Sequence, residues 1–183
     1  GIDRNLDFKK KELKNKNLTF THNYEEIKNS NVFIITLPTP INKRRIPDIS
    51  LVIKATEKLC KVIKKNDLII YESTFYPGTI EDKIIPILEK NSKFKLNQDF
   101  FIGYSPERIN PGDKIHTINK VKKVIAGSNE YALRQIREIY NKVVKPGLCE
   151  ASSIKVAELS KILENTQRFV NIALMNEIST LCN

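Results

Sequence analysis

The chain has 183 residues, enough for one large domain or one domain with an appendage. At 40% hydrophobic and 28% charged it has the composition of a soluble globule, and its longest apolar runs, such as VFIITL, are far too short to cross a bilayer. A net charge of +10 does not read as a nucleic-acid footprint, because the lysines are scattered through KKKELKNKN, KATEKLCKVIKK and KVKK without interleaved aromatics, yet such a field would attract a polyanionic small molecule such as a dinucleotide or nucleotide sugar.

In chain order, GIDRNLDFKKK carries charges with no following apolar segment, so no signal peptide is read. NLTFTH (17–22) reads as a short strand and NYEEIKNS as a short helix capped by Asn23. NVFIITL (31–37) is a β-branched run expected to be a strand buried on both faces, ended by PTP. PDISLVIKATEKLCKVIKK (47–65) has apolar residues at helical spacing, from Ile49, Val52 and Ile53 to Leu59, Val62 and Ile63, with Asp48 placed to cap it. DLIIYES (67–73) is the next strand, and TIEDKIIPILEK (79–90) a helix that Pro86 should kink. DFFIGYS and KKVIAGS (122–128) are further strands, and NEYALRQIREIYNKV (129–143) is a helix. This alternation predicts an α/β fold, an incomplete Rossmann-like, doubly wound and mostly parallel sheet. From Ala151 the chain runs to its end with neither Gly nor Pro, which predicts one long helix between domains or subunits, well beyond the usual length of about 11–12 residues. The corresponding division is residues 1–147 as a nucleotide-binding domain and 148–183 as the connecting helix.

Two stretches carry chemistry-bearing residues. In YSPERINPGDK, Pro106 stops the ladder after the strand and Pro111-Gly112 makes a turn, so Glu107 and Arg108 sit at a strand's carboxyl end, where ligands bind in open α/β sheets. An ion pair in a surface turn accounts for them equally well. On the long helix Glu158, Lys161, Asn165 and Arg168 are spaced to lie along one face. That face is either solvated or presents an ammonium and an amide, one turn apart, to a developing oxyanion. Spacing alone leaves both readings open. Cys60, Cys149 and Cys182 show neither metal-ligand spacing nor a disulfide framework, so no metal is expected and a reducing cytoplasm suits the chain.

Taken in order, GID, TLPTP, YESTFYPGT, YSPERINPGDK and SSIKVAELSKILENTQRFVNIALMNE resemble the UDP-glucose/GDP-mannose dehydrogenase family, closest to its branch acting on UDP-N-acetylhexosamines for bacterial surface polysaccharides. The resemblance implies oxidation of a sugar C6 hydroxyl by two NAD, through an aldehyde and a cysteine thioester, to a uronic acid. It assigns Asp3 to the adenosine ribose hydroxyls, Thr36, Pro38 and Thr39 to the strand end along the cofactor, and Ser73 and Thr74 to the stretch beside the nicotinamide, the threonine orienting the hydrolytic water. Glu107 matches the carboxylate that helps water attack the thioester, and Arg108 anchors its loop or meets the substrate phosphates. Lys161 and Asn165 match the oxyanion-stabilising pair, and Arg168 contacts substrate. A homodimer through the long helix is implied, with a UDP-sugar substrate and neither membrane nor nucleic-acid partner.

The sequence departs from that pattern at both ends. No strand with G-x-G-x-x-G precedes Gly1, and no Gly-rich loop with the family's catalytic cysteine follows the long helix, since Cys182 lacks that setting. The chain is therefore expected to be the middle of a longer polypeptide, inactive alone. The nearest alternative is another dehydrogenase of the β-hydroxyacid type, which also places Lys-x-x-x-Asn on an interdomain helix but needs no carboxylate after the SPER strand. A non-catalytic dimerising fragment is the alternative from a different class.

Overall fold

The computed structural model describes residue 11, residues 13–108 and residues 120–182. Asp3 and the Pro111-Gly112 turn lie outside the described residues. Five strands form one sheet in the order β1-β2-β3-β4-β5, with β1 at Val32–Ile35, β2 at Asp67–Tyr71, β3 at Phe100–Tyr104, β4 at Lys123–Gly127 and β5 at Leu148–Glu150. Strands β1, β2 and β3 are parallel, in the register Ile34 to Ile70 and Ile69 to Ile102. β4 runs antiparallel to β3, and β5 parallel to β4.

Both faces of the sheet are covered, as the near-continuous apolar strands β2 and β3 demand. On one face α1 (Ser50–Leu59), α2 (Ile85–Ser92) and the start of α4 (Ile154–Cys182) enclose Val52, Leu59, Leu88, Ile154 and Ala157 against Ile69, Tyr71, Ile102 and Tyr104. On the other, α3 (Glu130–Tyr140) lays Ala132, Ile136 and Tyr140 over Leu68, Ile70, Phe101 and Ile125. Asn129 caps α3 by accepting from the Ala132 N–H at 2.8 Å, and Asn23 caps a 3₁₀ turn at Tyr24–Ile27.

Several expectations need correction. Residues 17–22 are not a strand; their backbone is organised by local turns, with Leu18 donating to the Asn15 carbonyl and Asn23 to the Thr21 hydroxyl, and no described strand pairs with them. β1 is not buried on both faces: Val32 and Ile34 are 40% and 44% exposed while Phe33 is buried, because among the described residues β1 pairs only with β2 and neither exposed residue joins a core cluster. α1 stops at Leu59 instead of running to Lys65, its last turn tightening through the Val62 N–H to the Leu59 carbonyl. Pro86 does not kink the middle of a helix. It falls in the first turn of α2, where its missing N–H costs little, and a π turn at Ile80–Ile84 widens the chain ahead of it. Leu148–Glu150 pairs with β4 and so belongs to the sheet, which moves the start of the long helix to Ile154. That helix is 29 residues long, and its buried residues are Ile154, Ala157, Glu158 and Lys161, all in its first turns.

Candidate active site

The carboxyl ends of β1, β2 and β3 lie side by side, and each continues into one of the stretches singled out in the sequence. Hydrogen bonds between the three exits fix them. The Ser73 hydroxyl donates to the Leu37 carbonyl at 2.6 Å, Thr39 to the Thr74 carbonyl at 2.8 Å, and Tyr104 to the Ser73 carbonyl at 3.0 Å. Ser105 donates through its hydroxyl to the Val124 carbonyl at 2.8 Å, which turns the β3 exit toward β4. Pro38 and Pro40 at the β1 exit and Pro106 at the β3 exit supply no N–H, so neither of these two exits can donate to a ladder at those positions.

The three exits and α4 enclose a cleft of about 880 Å³ lined by Thr36, Pro38, Thr39, Ser73, Thr74, Glu107 and Asn165, together with Leu37 and Glu72. Residues expected from four separate stretches of sequence thus meet in one concavity, in the size range of a small-molecule site. Glu107 accepts from the Arg108 backbone N–H at 2.7 Å. Lys161 lies one helical turn before Asn165 and is only 8% exposed. Burial pulls its ammonium below the ordinary lysine range; Glu164 opposes that most strongly, Arg168 and Arg108 add to it, and the Glu107 carboxylate opposes it. Lys161 is not among the residues that line the cleft, and the acid of the β3 exit is the weakest of these influences on it.

Glu164 was not singled out by sequence, yet it gathers the cations. Its carboxylate lies 3.2 Å from Arg108, 3.4 Å from Arg168 and 3.9 Å from Lys161. Its spacing, three residues after Lys161 and four before Arg168, was a usable signal. Arg108 thus ties the β3 exit to α4, while its Nε is buried without a hydrogen-bond partner among the described residues. Glu158, part of the expected polar face, is fully buried, and its two oxygens accept from the backbone N–H groups of Gly78 at 2.5 Å and Ile80 at 3.0 Å. Glu72 was also passed over. It accepts a short bond from the Tyr140 hydroxyl and lies 3.3 Å from the Lys123 ammonium.

Residues 4–144 match the NAD binding domain of the UDP-glucose/GDP-mannose dehydrogenase family, and residues 155–183 match that family's central domain. The chain is 48% identical, over all of its length, to a UDP-N-acetyl-D-glucosamine 6-dehydrogenase of Pseudomonas aeruginosa, of which it covers 44%. It is 48% identical to Protein CapL of Staphylococcus aureus over 99% of the chain and 43% of that protein. Among solved structures, the UDP-D-ManNAc dehydrogenase of Pyrococcus horikoshii superposes with a TM-score of 0.83 at 35% identity, over 90% of this chain and 38% of that one. The chain thus spans less than half the length of these relatives.

Proposed function

We propose, from the premise that the chain belongs to the UDP-glucose/GDP-mannose dehydrogenase family, that the full-length protein carrying it oxidises the C6 hydroxyl of a UDP-N-acetylhexosamine to the uronic acid with NAD, for surface polysaccharide synthesis. The observation that carries this reading is the convergence of the β1, β2 and β3 exits with Asn165 of α4 on a single cleft. The donor set suits a dinucleotide's nicotinamide end: hydroxyl-bearing side chains line the cleft at the carboxyl ends of parallel strands. Bound there, NAD would supply the hydride acceptor for both oxidations. Glu107, which lies in the same cleft as Asn165, disfavours a β-hydroxyacid-type enzyme, which needs no carboxylate there. Against a non-catalytic dimerising fragment, gel filtration with NAD titration decides, a dimer without NAD binding supporting the fragment.

Each residue then has a distinct task. Thr36, Pro38 and Thr39 flank the cofactor; Ser73, with its hydroxyl committed to Leu37, holds the β2 exit so that Thr74 faces the nicotinamide and the attacking water. Lys161 and Asn165 donate to the oxygen on C6 as negative charge develops there. Glu107 takes the proton of the water that hydrolyses the thioester. Arg108 and Arg168, both on Glu164, face the anionic substrate, and Asp3 serves the adenosine ribose. The exposed apolar residues beyond Phe169 of α4, including Val170, Leu174 and Ile178, suit a homodimer interface, and the free thiols of Cys60, Cys149 and Cys182 suit a reducing cytoplasm.

Absorbance of NADH, counted against uronate formed from UDP-N-acetylglucosamine by the full-length protein, tests the reaction. Two NADH per uronate are expected, and no NADH with any UDP-N-acetylhexosamine overturns the reading. Glu107→Gln is expected to stall after NADH release with the acyl group still on the family's cysteine, seen as an adduct mass on the intact protein. Steady turnover by that variant would remove Glu107 from the hydrolytic role.

A further inference from the structure

The assignments above leave one charged group of the cleft without a task. Glu72 follows β2 directly, its backbone N–H donates to the Ile35 carbonyl at 2.9 Å, and its side chain lines the cleft beside Ser73 and Thr74. Two partners hold its carboxylate. Lys123, at the start of β4, has a side chain only 5% exposed and places its ammonium 3.3 Å from Glu72 Oε1. The Tyr140 hydroxyl, at the end of α3, donates to the same oxygen. The Lys123 ammonium also lies 5.2 Å from the centre of the Tyr140 ring. Burial and the Glu72 charge push the Tyr140 hydroxyl far above its ordinary range, so it remains a donor.

A buried ion pair is a weak device for stability, because an apolar pair of similar volume does as well or better. What this one achieves is a carboxylate of fixed orientation at the edge of a cleft. Both contacts fall on Oε1, and neither uses Oε2. An ionised carboxylate offers about four acceptor sites across two oxygens and no donor.

We propose that Glu72 is a ligand-binding acceptor, its Oε2 taking an O–H or N–H donor of a molecule bound in the cleft, with Lys123 and Tyr140 as positioning residues that hold it aimed. The inference rests on the reading of the cleft as a dinucleotide and sugar-nucleotide site. Both ligands offer suitable donors: the carboxamide and ribose hydroxyls of one, the sugar hydroxyls and acetamido N–H of the other. A bond to an ionised acceptor is stronger than a neutral one, so its loss is readable in binding.

The test is calorimetric titration of the full-length protein with NADH and, separately, with UDP-N-acetylglucosamine, for the wild type, Glu72→Gln and Tyr140→Phe. Glutamine keeps a carbonyl oxygen for Lys123 and Tyr140 and turns an amide NH₂ toward the ligand, so it conserves the internal contacts and removes the outward acceptor. Glu72→Gln is expected to weaken one ligand by about tenfold or more and to leave the other within about twofold; the affected ligand identifies the donor. Tyr140→Phe, which frees the carboxylate to turn, is expected to weaken the same ligand by a smaller factor. Unchanged affinity for both ligands in Glu72→Gln overturns the inference, as does equal weakening of both with a lowered melting temperature, the mark of a structural role. If Glu72→Gln does not fold, Tyr140→Phe decides in the same way. A wild-type protein that binds neither ligand overturns the functional reading and this inference together, an outcome distinct from a wild type that binds and variants that bind equally well.

Discussion

Replacing Lys161 by alanine in the full-length enzyme is expected to lower kcat by about 10²–10³ while KM changes by no more than a few fold, the range found when one preorganised donor to a developing oxyanion is removed. The side chain is buried, with the Glu164 carboxylate 3.9 Å from its ammonium, so its position is largely set before substrate arrives. Burial is the larger influence and lowers its proton affinity. The proposed role needs the cationic form, so the rate should fall as pH rises through a value below the ordinary lysine range, and this basic limb should be lost in Lys161→Ala. Steady-state kinetics across pH check both points. A variant with raised KM and normal kcat would show a group that binds substrate and transition state alike, and would remove Lys161 from the chemical step. Because Lys161 lies beside Glu164, melting curves must accompany the kinetics; a role confined to developing charge leaves the melting temperature nearly unchanged.

The meeting of Glu107 and Asn165 in one cleft was the part of the site that no local spacing could give. Helical periodicity gave the relation of Lys161 to Asn165, and the prolines of TLPTP and YSPER marked where strands must stop, because both signals are local. That the exits of β1, β2 and β3 adjoin follows from parallel pairing, which alternating β and α patterns predict as a class without fixing register. The misses have physical causes of the same kind. The strand expected at residues 17–22 had suitable residues, but a strand exists only through its ladder partner, and local side-chain bonds from Asn15 and Thr21 take the backbone instead. β5 is only three residues long and carries a charge, so no periodicity could announce it. Glu72 and Lys123 were not singled out, because each is one charge at the end of an apolar strand. Their pairing depends on β4 running antiparallel to β3, which carries the start of β4 past the end of β3, and nothing local encodes that direction.

Glu158 supports the largest expected change in stability. Its carboxyl is the link between α4 and the turn that follows Phe75: Oε2 accepts from the Gly78 N–H and Oε1 from the Ile80 N–H, all within the core. The turn depends on Gly78, whose φ of +89 is a left-handed conformation and whose added Cβ would lie 2.7 Å from the Asp82 carboxylate. Shortening Glu158 removes the acceptor of both N–H groups, and the first N–H groups of a helix have no intrahelical carbonyl to replace it. Glu158→Ala, which strands both donors and opens a void, is expected to cost about 3–5 kcal/mol. Glu158→Gln, which sets an amide NH₂ against one backbone N–H, is expected to cost about 1–3 kcal/mol. Denaturant midpoints measure both, with Leu163→Ala as the control, since Leu163 is on the same helix and 58% exposed; equal losses in Glu158→Ala and the control would refute the anchoring role. Burial raises the Glu158 proton affinity above that of an ordinary carboxylate, and the two N–H bonds only partly oppose it. The native state then keeps a proton over a pH interval in which the unfolded chain has lost it, so this group's contribution to stability declines as pH rises from the unfolded carboxylate value through the native one. Glu158→Gln should abolish that component of the slope. Because Lys161 and Asn165 stand one and two turns farther along the helix that Glu158 pins to the turn, loss of the anchor lets α4 shift against the β2 and β3 exits. kcat should therefore fall in both Glu158 variants, in the same order as their stability.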